Sequence, residues 1–297
     1  MTKSEDFPAR LDPVALSAFA AVVVIGGTNF VAVRFSNQEL APFWGAGLRF
    51  GSAALLLFAI SALWRLHLPR GRALLGALQL GLLNVAAFYA LAYWGLVQAP
   101  AALASVLVAL TPVLTLLLAR MHGLERLSWR GIGAAATALA GVAVVFADQL
   151  TAAVPIASVL ALSAAALCLA ESTVLAKYFP RVHPIPTNAV AMLPGALVLV
   201  ALSGAAGEAW VVPALQSTWI ALVYLVTLGS VGLFVGFLIV LHRWTASATS
   251  YATVLLPLVT VSMAALLAGE MVSLTFLLGA VLVMAGAYLG VLRPSNR

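Results

Sequence analysis

Stretches of about twenty residues almost free of charge recur along the whole chain, and no other feature restricts its fold so tightly. Windows of that length place ten spans at 13–34, 42–64, 72–93, 100–119, 129–147, 154–178, 186–207, 217–241, 247–268 and 274–292. Strands of a membrane barrel alternate every second residue; these runs are apolar throughout and read as helices. At 64% hydrophobic and 8% charged, the composition lies far from the soluble norm of about 45–50% and about 25%. The expected class is therefore an all-α polytopic membrane protein surrounded by a lipid bilayer.

A net charge of +6 would suit a nucleic-acid partner, but the basic residues are distributed as a topology signal. Lys3 and Arg10 precede span 1; Arg65, Arg70 and Arg72 join spans 2 and 3; Arg120, Arg126 and Arg130 join spans 4 and 5. Lys177 and Arg181 follow span 6, Arg243 follows span 8, and Arg293 and Arg297 close the chain. Of the 15 basic residues only Arg34 and Arg49 lie elsewhere, while Glu39, Asp148, Glu208 and Glu270 occupy the opposite side. The positive-inside rule then places both termini on the cytoplasmic side of the membrane, and no nucleic-acid partner is expected. Residues 1–12, with Glu5, Asp6 and Asp12, lead into a full span followed directly by others, as a first membrane helix does and a cleaved signal does not. Cys168 is the only cysteine, which excludes an internal disulfide; inside span 6 it reads as a small buried hydrophobe.

Pro112, Glu125 and Gly141 recur 145 positions later as Pro257, Glu270 and Gly286, and Ser105/Ser250, Thr115/Thr260 and Ser128/Ser273 match in the same register. Self-similar halves mark many secondary transporters. The offset carries span 4 onto span 9 and span 5 onto span 10, so each half, 1–147 and 148–297, holds five spans. Because five is odd, the second copy enters the bilayer from the other side, with Glu125 expected at the cytoplasmic face and Glu270 at the periplasmic one. Spans 1 to 3 match 6 to 8 only with small gaps. Gly47/Gly51, Gly232/Gly236 and Gly286/Gly290 are spaced for close helix approach. They read first as packing within a monomer, with a homodimer through span 5 or 10 as the other reading.

These residues resemble the EamA domain pair of the drug/metabolite transporter superfamily. The likeness rests on the array within 101–145, "ALASVLVALTPVLTLLLARMHGLERLSWRGIGAAATALAGVAVV", on its counterpart in 247–291, and on "GGTNFVAVRF" at 26–35 and "LRFG" at 48–51. It covers nearly the whole chain and implies two inverted five-helix repeats around a central cavity. It also implies export of amino acids and related metabolites, aromatic ones included, by alternating access. Other amphipathic metabolites, drugs or nucleosides are the alternative cargo.

Polar residues inside a bilayer are costly and therefore mark a pathway or a packing contact. The candidates for substrate contact are Asn29, Asn84, Ser105, Glu171 and Ser172, with Phe88, Phe237 and Tyr251 as ring donors. In an α-helix Asn84 and Phe88 share a face. Thr28, Thr111, Ser230, Thr253 and Thr260 are more simply bonded to a helix backbone or between helices. Glu171 reads either as a proton-linked gate or ammonium partner, or as half of a structural ion pair. Arg49 is expected to snorkel toward the interface. Pro112 and Pro257 each fall inside an expected span, as hinges or as static kinks. Glu125 and Glu270, at helix ends, suit capping. Trp44, Trp64, Trp94, Trp129, Trp219 and Trp244 suit interface anchors.

An anionic cargo such as a sugar phosphate calls for basic residues where it sheds water, and no span centre holds a Lys. A zwitterionic or neutral molecule with an apolar side chain fits better. His67, His122, His183 and His242 all fall in loops or at span ends, without metal-binding, nucleophile-elbow or phosphate-cradling motifs. No catalytic residues, metal or cofactor are expected, so an enzyme is disfavoured. A channel or receptor-like scaffold remains the non-transporter alternative; a channel calls for charged rings or a carbonyl filter, neither of which is evident.

Overall fold

The computed structural model describes residues 12–96, 107–125, 129–145, 155–268 and 274–289. Among them there is no strand. Helix α1 spans Pro13–Ser36 and α2 Pro42–Leu63. Helix α3 runs from Arg72–Leu80 through a π-helical stretch, Gly81–Ala87, to Phe88–Leu96. Then follow α4 (Thr111–Met121), α5 (Trp129–Val145), α6 (Ile156–Leu175) and α7 (Pro184–Ala205). Helix α8 joins Gln216–Val226, a second π-helical stretch at Thr227–Gly232, and Leu233–Arg243. Helix α9 comprises Ala246–Ser250 and Ala252–Ala268, and α10 is Leu274–Ala287.

Pro13–Val33, Pro42–Leu63, Arg72–Gly95, Ile156–Tyr178, Pro184–Ala205 and Gln216–Arg243 are long and apolar enough to cross a bilayer; the other apolar helices are shorter within the described residues. This is a polytopic helical membrane protein. Its helices begin where local chemistry permits. Asp12 accepts a bond from the Val14 amide at 3.0 Å ahead of Pro13, and Thr245 accepts one from Ala248 at 3.1 Å. Such caps satisfy orphan N–H groups, while Pro at N1 loses no bond.

The packing follows the 145-residue offset. Helix α2 lies along α7 and α5 along α10; α1 packs on α8 and α9, while α6 packs on α3 and α4. Each partnership joins the first half of the chain to the second. Adding 145 to 81–87 gives 226–232, and the two π-helical stretches fall almost on these ranges. A β-carbon on Gly141 would lie 2.6 Å from the Val283 nitrogen and 2.8 Å from the Gly279 oxygen. One on Gly286 would lie 2.5 Å from the Ala138 nitrogen and 2.7 Å from the Ala134 oxygen. Gly286 thus packs within the chain, as does Gly47 against Val200.

The prolines are not matched in the same way. Pro257 lies inside α9, whereas Pro112 opens α4 just after a turn at 109–110, where its missing N–H costs nothing. Pro194, a further helix-interior proline, was not singled out by the sequence pattern. Trp64, Trp94, Trp129 and Trp219 are exposed near helix ends. Trp244 is not an interface anchor: it is buried, its ring 5.1 Å from Phe19. Trp44 stacks on Trp210 at 5.0 Å and donates to the Val211 carbonyl at 3.0 Å.

Candidate functional site

Three loop carboxylates reach across the fold to orphan amides. Glu39 accepts from Ala214 and Leu215, each at 3.0 Å, just ahead of α8, and these bonds hold its carboxyl below the usual range. Glu208 accepts from Phe43 at 3.1 Å and Trp44 at 2.8 Å in the first turn of α2. Glu125 accepts from Ser247 at 3.1 Å, so it caps α9 rather than the helix that follows it. Glu270, expected to act likewise, lies outside the described residues.

Between these ends, α3, α7 and α8 enclose a cavity of about 10 Å³ lined by Asn84, Val85, Asn188, Phe234 and Phe237 among others. That is space for roughly one water molecule. Asn84 and Phe237 are therefore brought together, and Asn188, 2% exposed with its amide nitrogen unpartnered, joins them. Phe88 does not line this cavity. Its ring meets Tyr89 edge-on at 5.1 Å, in a chain of aromatics that continues through Tyr89–Phe50 at 4.8 Å, Phe50–Phe234 at 5.6 Å and Tyr89–Tyr93 at 6.1 Å.

Arg49 does not snorkel. It begins about 10 Å inside the α2 N-terminus, is 2% exposed, and turns inward to the second π-helical stretch. Its Nε donates to Ser230 Oγ and its Nη2 to the Gly229 carbonyl, both at 2.8 Å. Asn29 on α1 donates to the same carbonyl at 3.1 Å, and its Oδ1 is buried without a partner. The guanidinium carbon lies 4.9 Å from the Phe50 ring centroid and 5.7 Å from that of Tyr89, within cation–π range. Burying a charge costs several kcal/mol unless it is well compensated; here the compensation comes from neutral groups and rings. Sequence reasoning passed over Asn188 and Gly229, and it assigned Arg49 to the interface rather than to the interior.

The remaining expected residues disperse. Glu171 Oε1 sits 3.0 Å from His122 Nε2 at the end of the bundle that carries the basic loops, while its Oε2 is buried and unpartnered. The neighbouring Ser172 is fully buried with no partner for its hydroxyl, and its carbonyl accepts from Gln79 Nε2 at 3.3 Å. Tyr251 is packed in the core formed with α1, α5 and α10, its hydroxyl 3.5 Å from the Gly131 carbonyl. Thr28 and Thr253 bond to their own helices, at 2.8 Å each, and Thr260 bonds to the Gly27 carbonyl at 2.9 Å. Ser105 lies outside the described residues. No group of three or more metal-ligating side chains occurs among the described residues.

Set beside known proteins, residues 13–147 and 156–292 each match the EamA-like transporter family. The chain belongs to that family. Inner membrane transporter YedA of Escherichia coli (strain K12) is 30% identical over 296 residues, covering 96% of this chain and 95% of YedA. A probable terminal-alkyne amino-acid exporter of Streptantibioticus cattleyicolor is 33% identical over 134 residues, 44% of each chain. A solved crystal structure superposes with a TM-score of 0.79 at 20% identity, covering 93% of this chain and 95% of that one, a likeness of fold.

Proposed function

We propose that this EamA-like transporter exports small metabolites, amino acids including aromatic ones, across the bacterial inner membrane. It works as a secondary active or facilitative carrier by alternating access. Ten spans form two inverted five-helix repeats, residues 1–147 and 148–297, with both termini in the cytoplasm; the basic loops support that orientation. The lining of Asn84, Asn188, Phe234 and Phe237 carries the substrate reading. The two amides offer hydrogen bonds and the rings offer apolar surface to a small amphipathic molecule. The amino-acid exporter of Streptantibioticus cattleyicolor supports the same class, and YedA, an inner membrane transporter, supports the inner membrane.

A cavity of about 10 Å³ admits no amino acid, so helices must part during each cycle. Reciprocal packing of α5 on α10 and of α2 on α7 supports a mechanism in which the halves exchange roles. Purified protein in liposomes should move radiolabelled amino acids, tested as a panel with and without a proton gradient. Protein that moves none of them while conducting ions at channel rates would overturn the proposal.

A further inference from the structure

Resting on the amino-acid reading, we infer that Arg49 and Asn29 form the head-group site of the carrier, Arg49 for a carboxylate and Asn29 Oδ1 for an ammonium group. The guanidinium is the single basic group found deep within a described helix pair, 2% exposed, and neither ion pair among the described residues involves it. A guanidinium offers five N–H donors in a planar fork shaped for a carboxylate. Only Nε and Nη2 are engaged, by a serine hydroxyl and a backbone carbonyl. Neutral oxygens of this kind occupy places that a carboxylate would fill with a stronger, charge-assisted bond.

The second observation is independent of the charge. Asn29, 8% exposed, keeps Oδ1 without a hydrogen-bond partner. This acceptor lies so close to Gly229 that a β-carbon there would collide with it. Both side chains therefore converge on one glycine in the π-helical turn of α8, Arg49 as donor and Asn29 with an acceptor to spare. An α-amino acid carries the complementary pair, an anion and a cation one carbon apart. Tyr89, Phe50 and Phe234 continue from the guanidinium as an aromatic wall, where an apolar side chain would lie. A sugar phosphate gains little here, since one cation faces a dianion.

The test is competition against radiolabelled L-phenylalanine uptake in proteoliposomes. L-phenylalaninamide removes the carboxylate charge and 3-phenylpropionate removes the ammonium. With the unmodified protein, each analogue should compete at least about tenfold more weakly than L-phenylalanine. Arg49→Gln should bring the amide and the acid within about twofold, and Arg49→Lys should restore part of the preference. Asn29→Ala should erase discrimination against 3-phenylpropionate while leaving that against the amide. Unmodified protein that moves phenylalanine but treats acid and amide alike overturns the head-group site and leaves the amino-acid reading standing, as does a full preference retained in Arg49→Gln. Unmodified protein that moves no amino acid removes both. The analogue series on unmodified protein decides the matter even where a variant fails to fold.

Discussion

Gly141 and Gly286 each fit against the backbone of the helix that carries the other: Gly141 meets positions 279 and 283, and Gly286 meets positions 134 and 138. The two contacts are images of one another under the 145-residue offset. Glycine in a helix costs roughly 0.5–1 kcal/mol relative to alanine, and close backbone approach offsets that cost by bringing the faces of α5 and α10 into contact.

Gly141→Ala should therefore lower stability by about 1–3 kcal/mol, read as a reduced unfolding temperature in detergent, with Gly286→Ala similar. Gly133, on the same helix, has nothing within 4 Å of its hypothetical β-carbon. Gly133→Ala should be neutral or stabilising by up to about 1 kcal/mol. Equal losses at 133 and 141 would contradict the packing account.

Much of this arrangement could be read from residues, and the reasons are physical. Apolar runs mark helices because lipid leaves backbone groups no other partner. The Gly141/Gly286 repeat was visible because glycine, proline and glutamate are scarce against an alanine and leucine background. Arg49 was misread because its depth suggests snorkelling, while the groups that draw it inward, Gly229 and Ser230, lie 180 and 181 residues away. Asn188 escaped for the same reason, its neighbours Asn84 and Phe237 coming from other helices. The π-helical turns at 81–87 and 227–232 have no sequence signature of their own.

Glu208→Ala leaves two amides in the first turn of α2 without their acceptor. It should cost about 0.5–2 kcal/mol, measurable in the same melt. A Glu208→Ala melt that matches the unmodified protein would show that water replaces the cap.

The Glu39 carboxyl is held below its ordinary range by the Leu215 and Ala214 amides, and that of Asp12 by its bond to Arg243. A depressed folded value means that the carboxylate contributes stability above the unfolded pKa and loses it as pH falls through the folded one. Melting temperature should drop on acidification into that carboxylate window. Glu39→Gln and Asp12→Asn should flatten the drop; an unchanged acid limb in both variants would remove these bonds from the account.

Asn84→Ala should reduce amino-acid flux about tenfold or more through loss of a buried amide contact, while Gly133→Ala, outside the cavity, leaves it intact. Flux is read at matched protein density in liposomes, and equal activity in the two variants would take Asn84 out of the pathway.

Counterflow tests the central claim most directly. Liposomes preloaded with unlabelled L-phenylalanine and diluted into a trace of labelled substrate should accumulate label transiently above equilibrium, because a carrier that exposes one site alternately exchanges its cargo. Entry of label only to equilibrium, without that overshoot, would contradict alternating access and favour a channel.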